Sequence, residues 1–336
     1  MSDFPKTLRR VLDGRDLDEA QSRELIGGFM DGEVSAVQAA GLLAALAAKG
    51  ESVGELIGAA RAMRERSLHV EHNLPLVFDV CGTGGDGADT INISTIAGFV
   101  IAAAGVPVAK HGNRAASSAC GSADVLEASG IEIDVAPDRA AAQLCESNFT
   151  FMFAPRYHPA MKAVAPVRRE LGVRTMFNIL GPLTNPARAT HQIVGVARES
   201  HLEQVGDVLS ALGVQGAVVH AASGIDEVSG EGPTVVYEFG TERARRYTLD
   251  PAEYGIAAPL AVLRGGSAQT CKDAFESILQ GERSARSDVV ALNAALSLQL
   301  SGTAASFSEG LTIARDLLHS GKAYDVVQRV RSFRNA

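Results

Sequence analysis

The sequence predicts an α/β protein, with a helix-only N-terminal part followed by a larger part built on a mostly parallel central sheet. Three observations carry that reading. The first seventy residues hold helix-start signals and no strand pattern. After them, short apolar runs alternate with helical segments. The 336 residues, 46% hydrophobic, suffice for a sizeable core divided between two subdomains.

Three capping boxes open helices in the N-terminal part: Asp18 with Gln21 before SRELIGGFM, Ser35 with Gln38 before AAGLLAALAAKG, and Ser52 with Glu55 before LIGAARAMRERS. In each, the cap oxygen accepts an otherwise unpaired N–H while the residue three positions on reaches back. Gly50 ends the middle helix, whose small, apolar sequence calls for burial on more than one side. A bundle this apolar invites a helix-to-helix dimer contact.

Beyond EHNLP the texture changes. LVFDV reads as a strand ending in glycines, TIAGFVIAAAG as an apolar helix and VPVAK as a second strand. Such a crossover implies parallel pairing. The pattern continues with helix SADVLEASG before strand IEIDV, and PDRAAAQLCES before FTFMFAP. Strand HQIVGVA, helix SHLEQVGDVLSALG and strand GAVVHAA follow. HPAMKAVAPVRRELG reads as a helix broken at Pro166, and FNILGPLTNPA as a proline-stiffened connection. VSGEGPTVVYEF and ARRYTLD form an antiparallel excursion, and residues from 269 onward are helical.

A net charge of −8 and a pI near 5.5 argue against non-specific binding to nucleic acid or acidic membranes. Any anion site must be local. The start, MSDFPKTLRRVLDG, lacks an apolar signal core, and no apolar run reaches membrane-spanning length, so a cytoplasmic protein is expected. Cys81, Cys120, Cys145 and Cys271 lie far apart without a C-x-x-C pair, which favours buried reduced thiols over a zinc site.

The stretch DVCGTGGDGADTINIST carries the first chemistry. Gly82, Gly84 and Gly87 satisfy G-x-G-x-x-G, and a glycine turn between strand and helix brings backbone N–H groups close to phosphate oxygens. A dinucleotide site also demands a carboxylate about twenty residues on. From Thr90 to Ala123 there is no Asp or Glu, where average composition would place about four. That argues against a dehydrogenase. The next strand instead ends in KHGNR, and the Ser94 and Thr95 hydroxyls stand at a helix start, where Ser94 is also a fair N-cap. Asp86 beside a bare diphosphate requires an intervening cation or sugar hydroxyl. Asp226 and Glu227 follow a strand, and adjacent acids facing a polyphosphate would repel it unless Mg²⁺ lies between.

GTGGD followed by NIST, then KHGNRAASS, GSADVLEA, HPAM, APVRRELG, RT-FN-LGPLTNP and DE occur in the order seen in anthranilate phosphoribosyltransferases. The chain resembles that family over nearly its whole length, and KHGNRAASS with NILGPLTNP is a specific combination. The resemblance implies tryptophan biosynthesis: anthranilate plus phosphoribosyl pyrophosphate (PRPP) gives phosphoribosylanthranilate and pyrophosphate. It also implies a fold like class II nucleoside phosphorylases. A helical domain (1–72, joined in space by part of 160–185) would precede an α/β domain (73–336), with homodimers formed through the helical domain.

On this chain the resemblance puts Gly82, Gly85, Asp86 and Thr90 in the PRPP site, with Asn92, Ile93, Ser94 and Thr95 on its phosphates. Lys110, His111, Gly112, Asn113, Arg114, Ala115, Ala116, Ser117 and Ser118 would close over it, and Ser122 would complete it. Anthranilate would meet Gly82, Asn113 and Arg168, while Ser94, Asp226 and Glu227 would hold Mg²⁺. No strong general base stands out, because the aromatic amine is already neutral near pH 7. Lys110 and Mg²⁺ are expected to stabilise the leaving group, and His111 and His158 are candidates for orienting or relaying a proton. Arg168 suits a carboxylate by its planar fork, whereas Arg169 points about 100° around the helix and reads as a surface charge. Ala119-Cys120 and NFTFMFAP depart from the usual family pattern, and HAASGIDEVS lacks a glycine often present before the acidic pair. A pyrimidine nucleoside phosphorylase and a non-catalytic nucleic-acid-binding relative are the alternatives. The first would use inorganic phosphate, and the second would need a basic face.

Overall fold

The computed structural model describes residues 4–115, 118–240 and 243–333. Four helices open the chain: α1 (Phe4–Leu12), α2 (Glu19–Met30), α3 (Ala36–Lys49) and α4 (Val53–Glu65). The three expected capping boxes are all formed, for example by Gln21 N donating to Asp18 Oδ1 at 2.8 Å. Glu55 does more than cap. It is fully buried, and its carboxylate also accepts from Leu17 N and from Lys49 Nζ, each at 2.9 Å.

The rest alternates as β1 (Phe78–Gly82), α5 (Ile93–Ala103), β2 (Val108–Gly112), α6 (Ser122–Ala128), α7 (Pro137–Ser147), β3 (Phe149–Phe153) and α8 (Ala154–Tyr157). There follow α9 (Met161–Leu171), α10 (Phe177–Leu180), β4 (His191–Gly195), α11 (Leu202–Ala211), β5 (Gln215–Ala221), β6 (Thr234–Phe239) and β7 (Arg245–Leu249). Four helices close the described chain: α12 (Ala268–Leu279), α13 (Ala285–Leu300), α14 (Phe307–His319) and α15 (Lys322–Ser332). The strands form one sheet in the order β3-β2-β1-β4-β5-β6-β7. The first five are parallel, and β6 and β7 add the antiparallel excursion.

One face of the sheet packs on α5 and α12–α15. On the other face a single apolar core runs from the N-terminal helices through α9, α10 and α11 to Val194, Val218 and Phe239 of the sheet. Chain order reverses between β1 and β4, so their carboxyl ends form the switch point where open α/β sheets gather ligands.

Five expectations are corrected. Ile131–Val135 alternates buried and exposed residues as a strand would, yet it joins no ladder, since β3 pairs directly with β2. Its exposed acids are tied instead to Arg139 and Arg156. Helix α9 runs through Pro166, the sixth of its eleven residues, with Val164 and Val167 on either side of the proline buried. FNILGPLTNPA contains α10 and a 3₁₀ turn over Pro182–Thr184. Helix α3 is covered along one stripe only, leaving Val37 83% exposed with Gly41 and Ala44 beside it. The cysteines are all free thiols, but only Cys120 and Cys271 are buried, while Cys145 is exposed.

Candidate active site

The glycine turn leaves β1 at Gly82, which pairs with Gly195 of β4, and Thr83 N donates to Gly195 O at 2.9 Å. Gly84, Gly85 and Gly87 all take positive φ, a region that L side chains rarely adopt. Lack of a side chain matters at Gly82 too: a β-carbon there would overlap the carboxylate of Asp226. The loop after β5 thereby brings Asp226 against the turn, where its Oδ2 accepts the Gly84 N–H at 2.7 Å.

Beside it, Glu227 Oε1 accepts the Ser94 N–H at 3.1 Å, and Lys110 Nζ donates to Ser94 Oγ at 3.3 Å and to the carbonyl of Val80. Ser94 is therefore not the N-cap of α5; Asn92 holds that position, without a side-chain cap bond. Burial pushes Asp226 up to about 6, helped by the charge of Asp86. Glu227 is pushed up to about 8 by burial and by Asp226, against the pull of Lys110 and the Ser94 N–H. Three acids thus crowd one wall at an energetic cost that a bound cation would relieve.

Under this wall lies a residue the sequence reading passed over. Asp79, in the apolar run of β1, is fully buried. It accepts from Asn185 Nδ2 at 2.7 Å, Gln192 Nε2 at 3.2 Å and His111 N at 3.2 Å. Burial raises it to about 6, while the positive charge of Lys110 and these donors act in the opposite direction. It fixes the ends of β1, β2 and β4 relative to one another. A lone acid inside an apolar strand was the available signal.

The KHGNR loop is stapled to its surroundings. Arg114 turns to α6, pairing with Asp124 at 2.9 Å and Glu127 at 2.8 Å, rather than to the glycine turn. Asp124 also accepts from Ala115 N and Gly121 N at 3.0 and 2.9 Å. Ser122 Oγ donates to Asn113 O at 3.2 Å. Asn92 Nδ2 reaches Cys120 O at 3.1 Å, and Asp89 Oδ1 accepts from Ala119 N at 3.1 Å, so loop and glycine turn hold each other. A β-carbon at Gly112 would come within 2.7 Å of the Phe151 ring. Ser118 is exposed, Thr90 bridges to Arg264, and Ile93 and Thr95 are buried, with the Ile93 N–H engaged by Ile91 O. Ala116 and Ser117 lie outside the described residues.

His111 and His158 stand with ring centres 5.0 Å apart, and Nε2 of each is buried without a hydrogen-bond partner. Burial lowers His158 to about 4 and takes His111 well below its ordinary value, so both rings are neutral at pH 7. Arg168 sits in the last turn of α9, half-buried, its guanidinium carbon 5.7 Å from the ring centre of Phe177. Phe177 meets Phe29 of α2 edge-on at 6.4 Å. Burial lowers Arg168, and it has no ion pair among the described residues, which suits it to a carboxylate brought by a ligand. Arg169 is exposed.

Known proteins share this architecture. The helical bundle domain of the glycosyl transferase family matches residues 5–67, and its a/b domain matches residues 74–324. The anthranilate phosphoribosyltransferase of Symbiobacterium thermophilum is 48% identical over 328 residues, covering 97% of this chain and 96% of that protein. The crystal structure of anthranilate phosphoribosyltransferase from Thermus thermophilus is 43% identical, with a TM-score of 0.92 over 97% of this chain and 98% of that one. The Saccharomyces cerevisiae enzyme in complex with PRPP and Mg, 24% identical over 97% of this chain and 96% of its own, shares the fold with a TM-score of 0.88. On these matches the chain belongs to the glycosyl transferase family of paired helical-bundle and a/b domains and, within it, to the anthranilate phosphoribosyltransferases.

Proposed function

We propose that this chain transfers the phosphoribosyl group of PRPP to the amine of anthranilate, releasing pyrophosphate, as a step in tryptophan biosynthesis. The observation that carries the reading is the run Lys110–Ser94–Glu227 facing Asp226 across the glycine turn. Displacing pyrophosphate from C1 of ribose builds positive charge on the ring and negative charge on the leaving group. Lys110 and the glycine-turn amides meet that negative charge from fixed positions, which is how preorganised dipoles lower a barrier. Arg168 holds the anthranilate carboxylate, with Gly82 and Asn113 alongside. Thr90, the Asn92–Thr95 segment and the Lys110–Ser118 loop with Ser122 receive the sugar and its phosphates. Since the attacking amine is neutral, the neutral imidazoles of His111 and His158 orient it or take up its proton without first losing one of their own.

The donor set fits magnesium. Among the described residues no three His, Cys, Asp or Glu side chains are grouped to hold a metal alone. Two carboxylates raised by burial, plus Ser94 Oγ, leave the other places to substrate oxygens, the way Mg²⁺ is usually bound. When bound, the ion supplies charge neutralisation of the diphosphate; Asp226 and Glu227 orient it. The yeast relative, crystallised with PRPP and Mg, supports the same use here. We also infer a division into a helical domain (1–72 with part of 160–185) and an α/β domain (73–336), a homodimer through the helical domain, and a cytoplasmic location. The exposed stripe of α3 supports the dimer, and the four free thiols support the location.

The deciding experiment mixes purified protein, PRPP, anthranilate and Mg²⁺ and follows the fluorescence of phosphoribosylanthranilate. Product that requires all three additions is expected; none at any concentration of protein removes the assignment.

A further inference from the structure

Arg174 lies between two fixed points. Gly172 ends α9 in the left-handed region at φ 61°, and the Thr175 N–H is held by Asn178 Oδ1 at 3.0 Å. Thr175 and Met176 are buried, whereas Arg174 is exposed and carries its side chain out over the glycine turn. Its guanidinium lies where a side chain at position 85 would point: a β-carbon on Gly85 would overlap Nη1, with Cζ 3.5 Å away. Gly85, at φ 78°, thus leaves room for an arginine as well as for a turn.

The charges around it make the placement informative. Asp86 is the next residue along the turn, and Asp226 accepts from Gly84. A guanidinium beside a turn that carries acids ordinarily closes on one of them. Arg174 instead makes no ion pair or hydrogen bond among the described residues. Nearby, His201 is held below its ordinary value by burial and by the positive charge of Arg198 and Arg174. One glycine turn therefore meets a guanidinium at Gly85 and a carboxylate at Gly82. A polyanion whose own charge is bridged to that carboxylate by a divalent cation suits this pair of charges, and a planar fork of donors grips phosphate oxygens two at a time.

We propose that Arg174 is a leaving-group clamp, binding the diphosphate of the sugar substrate from the side-chain direction of Gly85. This rests on the transfer reaction proposed above, and it divides anion recognition between α9 and the turn that follows it. Arg168 in the last turn of α9 takes the acceptor's carboxylate, and Arg174, six positions on, takes the diphosphate.

Inorganic pyrophosphate with Mg²⁺, titrated calorimetrically into the full-length protein, reads the clamp without turnover. Arg174→Ala should weaken its binding at least about tenfold, the weight of one charge-assisted contact, and Arg174→Lys should fall between the two. In steady state, KM for PRPP should rise with it while KM for anthranilate stays within about twofold. Because Arg174 is exposed, both variants should keep the parent's circular dichroism. Pyrophosphate affinity unchanged in Arg174→Ala, or a rise confined to the anthranilate KM, overturns the proposal. A parent protein that binds Mg–pyrophosphate through Arg174 yet forms no fluorescent product would sink the transfer reaction and leave the clamp standing.

Discussion

The backbone N–H of Gly84 meets Oδ2 of Asp226 at 2.7 Å, joining residues 142 positions apart into one wall of the site. That contact exists only because Gly82 has no side chain to occupy the place of the Asp226 carboxylate. Gly82→Ala should therefore displace Asp226 and lower kcat/KM for PRPP on the order of 10²-fold, as misplacements of about an ångström do. Steady-state kinetics check it, and parent-like values would mean this contact does not set the geometry.

Removing both carboxylates tests the wall itself. Asp226→Ala with Glu227→Ala should lower kcat on the order of 10²-fold or more, the scale for lost charge stabilisation in a transition state. The loss should be most evident at low Mg²⁺. Near-normal turnover of the double variant under those conditions would contradict the assignment.

Arg168 has a desolvated charge and no ion pair among the described residues, which supports the carboxylate-binding role proposed for it. Arg168→Ala should raise the anthranilate KM about 10- to 100-fold, the range for a hydrogen bond to a charged group, with little change in the PRPP KM. An unaltered anthranilate KM would take Arg168 out of that role.

His158 gives a pH signature. Its folded value is lowered from 6.5 to about 4, chiefly by burial. A depressed imidazole contributes stability that is full above pH 6.5 and is lost as pH falls toward 4, because the unfolded chain takes the proton first. The parent should lose about 2 kcal/mol from this group between pH 7.5 and pH 5. His158→Gln, which cannot titrate, should therefore be less destabilising at pH 5 than at pH 7.5 in denaturant melts. A variant penalty independent of pH would show that the ring titrates alike in both states.

How legible was this molecule? Local rules sufficed where a residue's partner is close in sequence, as with the caps at Asp18, Ser35 and Ser52, each satisfied three positions on. The fold class followed from periodicity for the same reason. Pairing is not local, so Ile131–Val135 showed a strand's alternation without revealing that β3 already occupied the edge of β2. Asp79 was hidden likewise: Asn185 and Gln192, which explain it, stand 106 and 113 positions away. Arg114 belonged to a recognisable motif, but its orientation depends on Asp124 and Glu127. The gathering of Lys110, Ser94, Asp226 and Glu227 was suggested by charge logic and by likeness to a family, never by spacing.

The aromatic stair from Phe29 through Phe177 to Arg168 links the first helices to α10 and α9. It makes the N-terminal bundle a buttress for Arg168, since α9 rests on the same unbroken oil layer as α2 and α3. Hollowing that layer far from any substrate, at Phe29 for instance, will loosen the grip on the aromatic acid before it unfolds the chain.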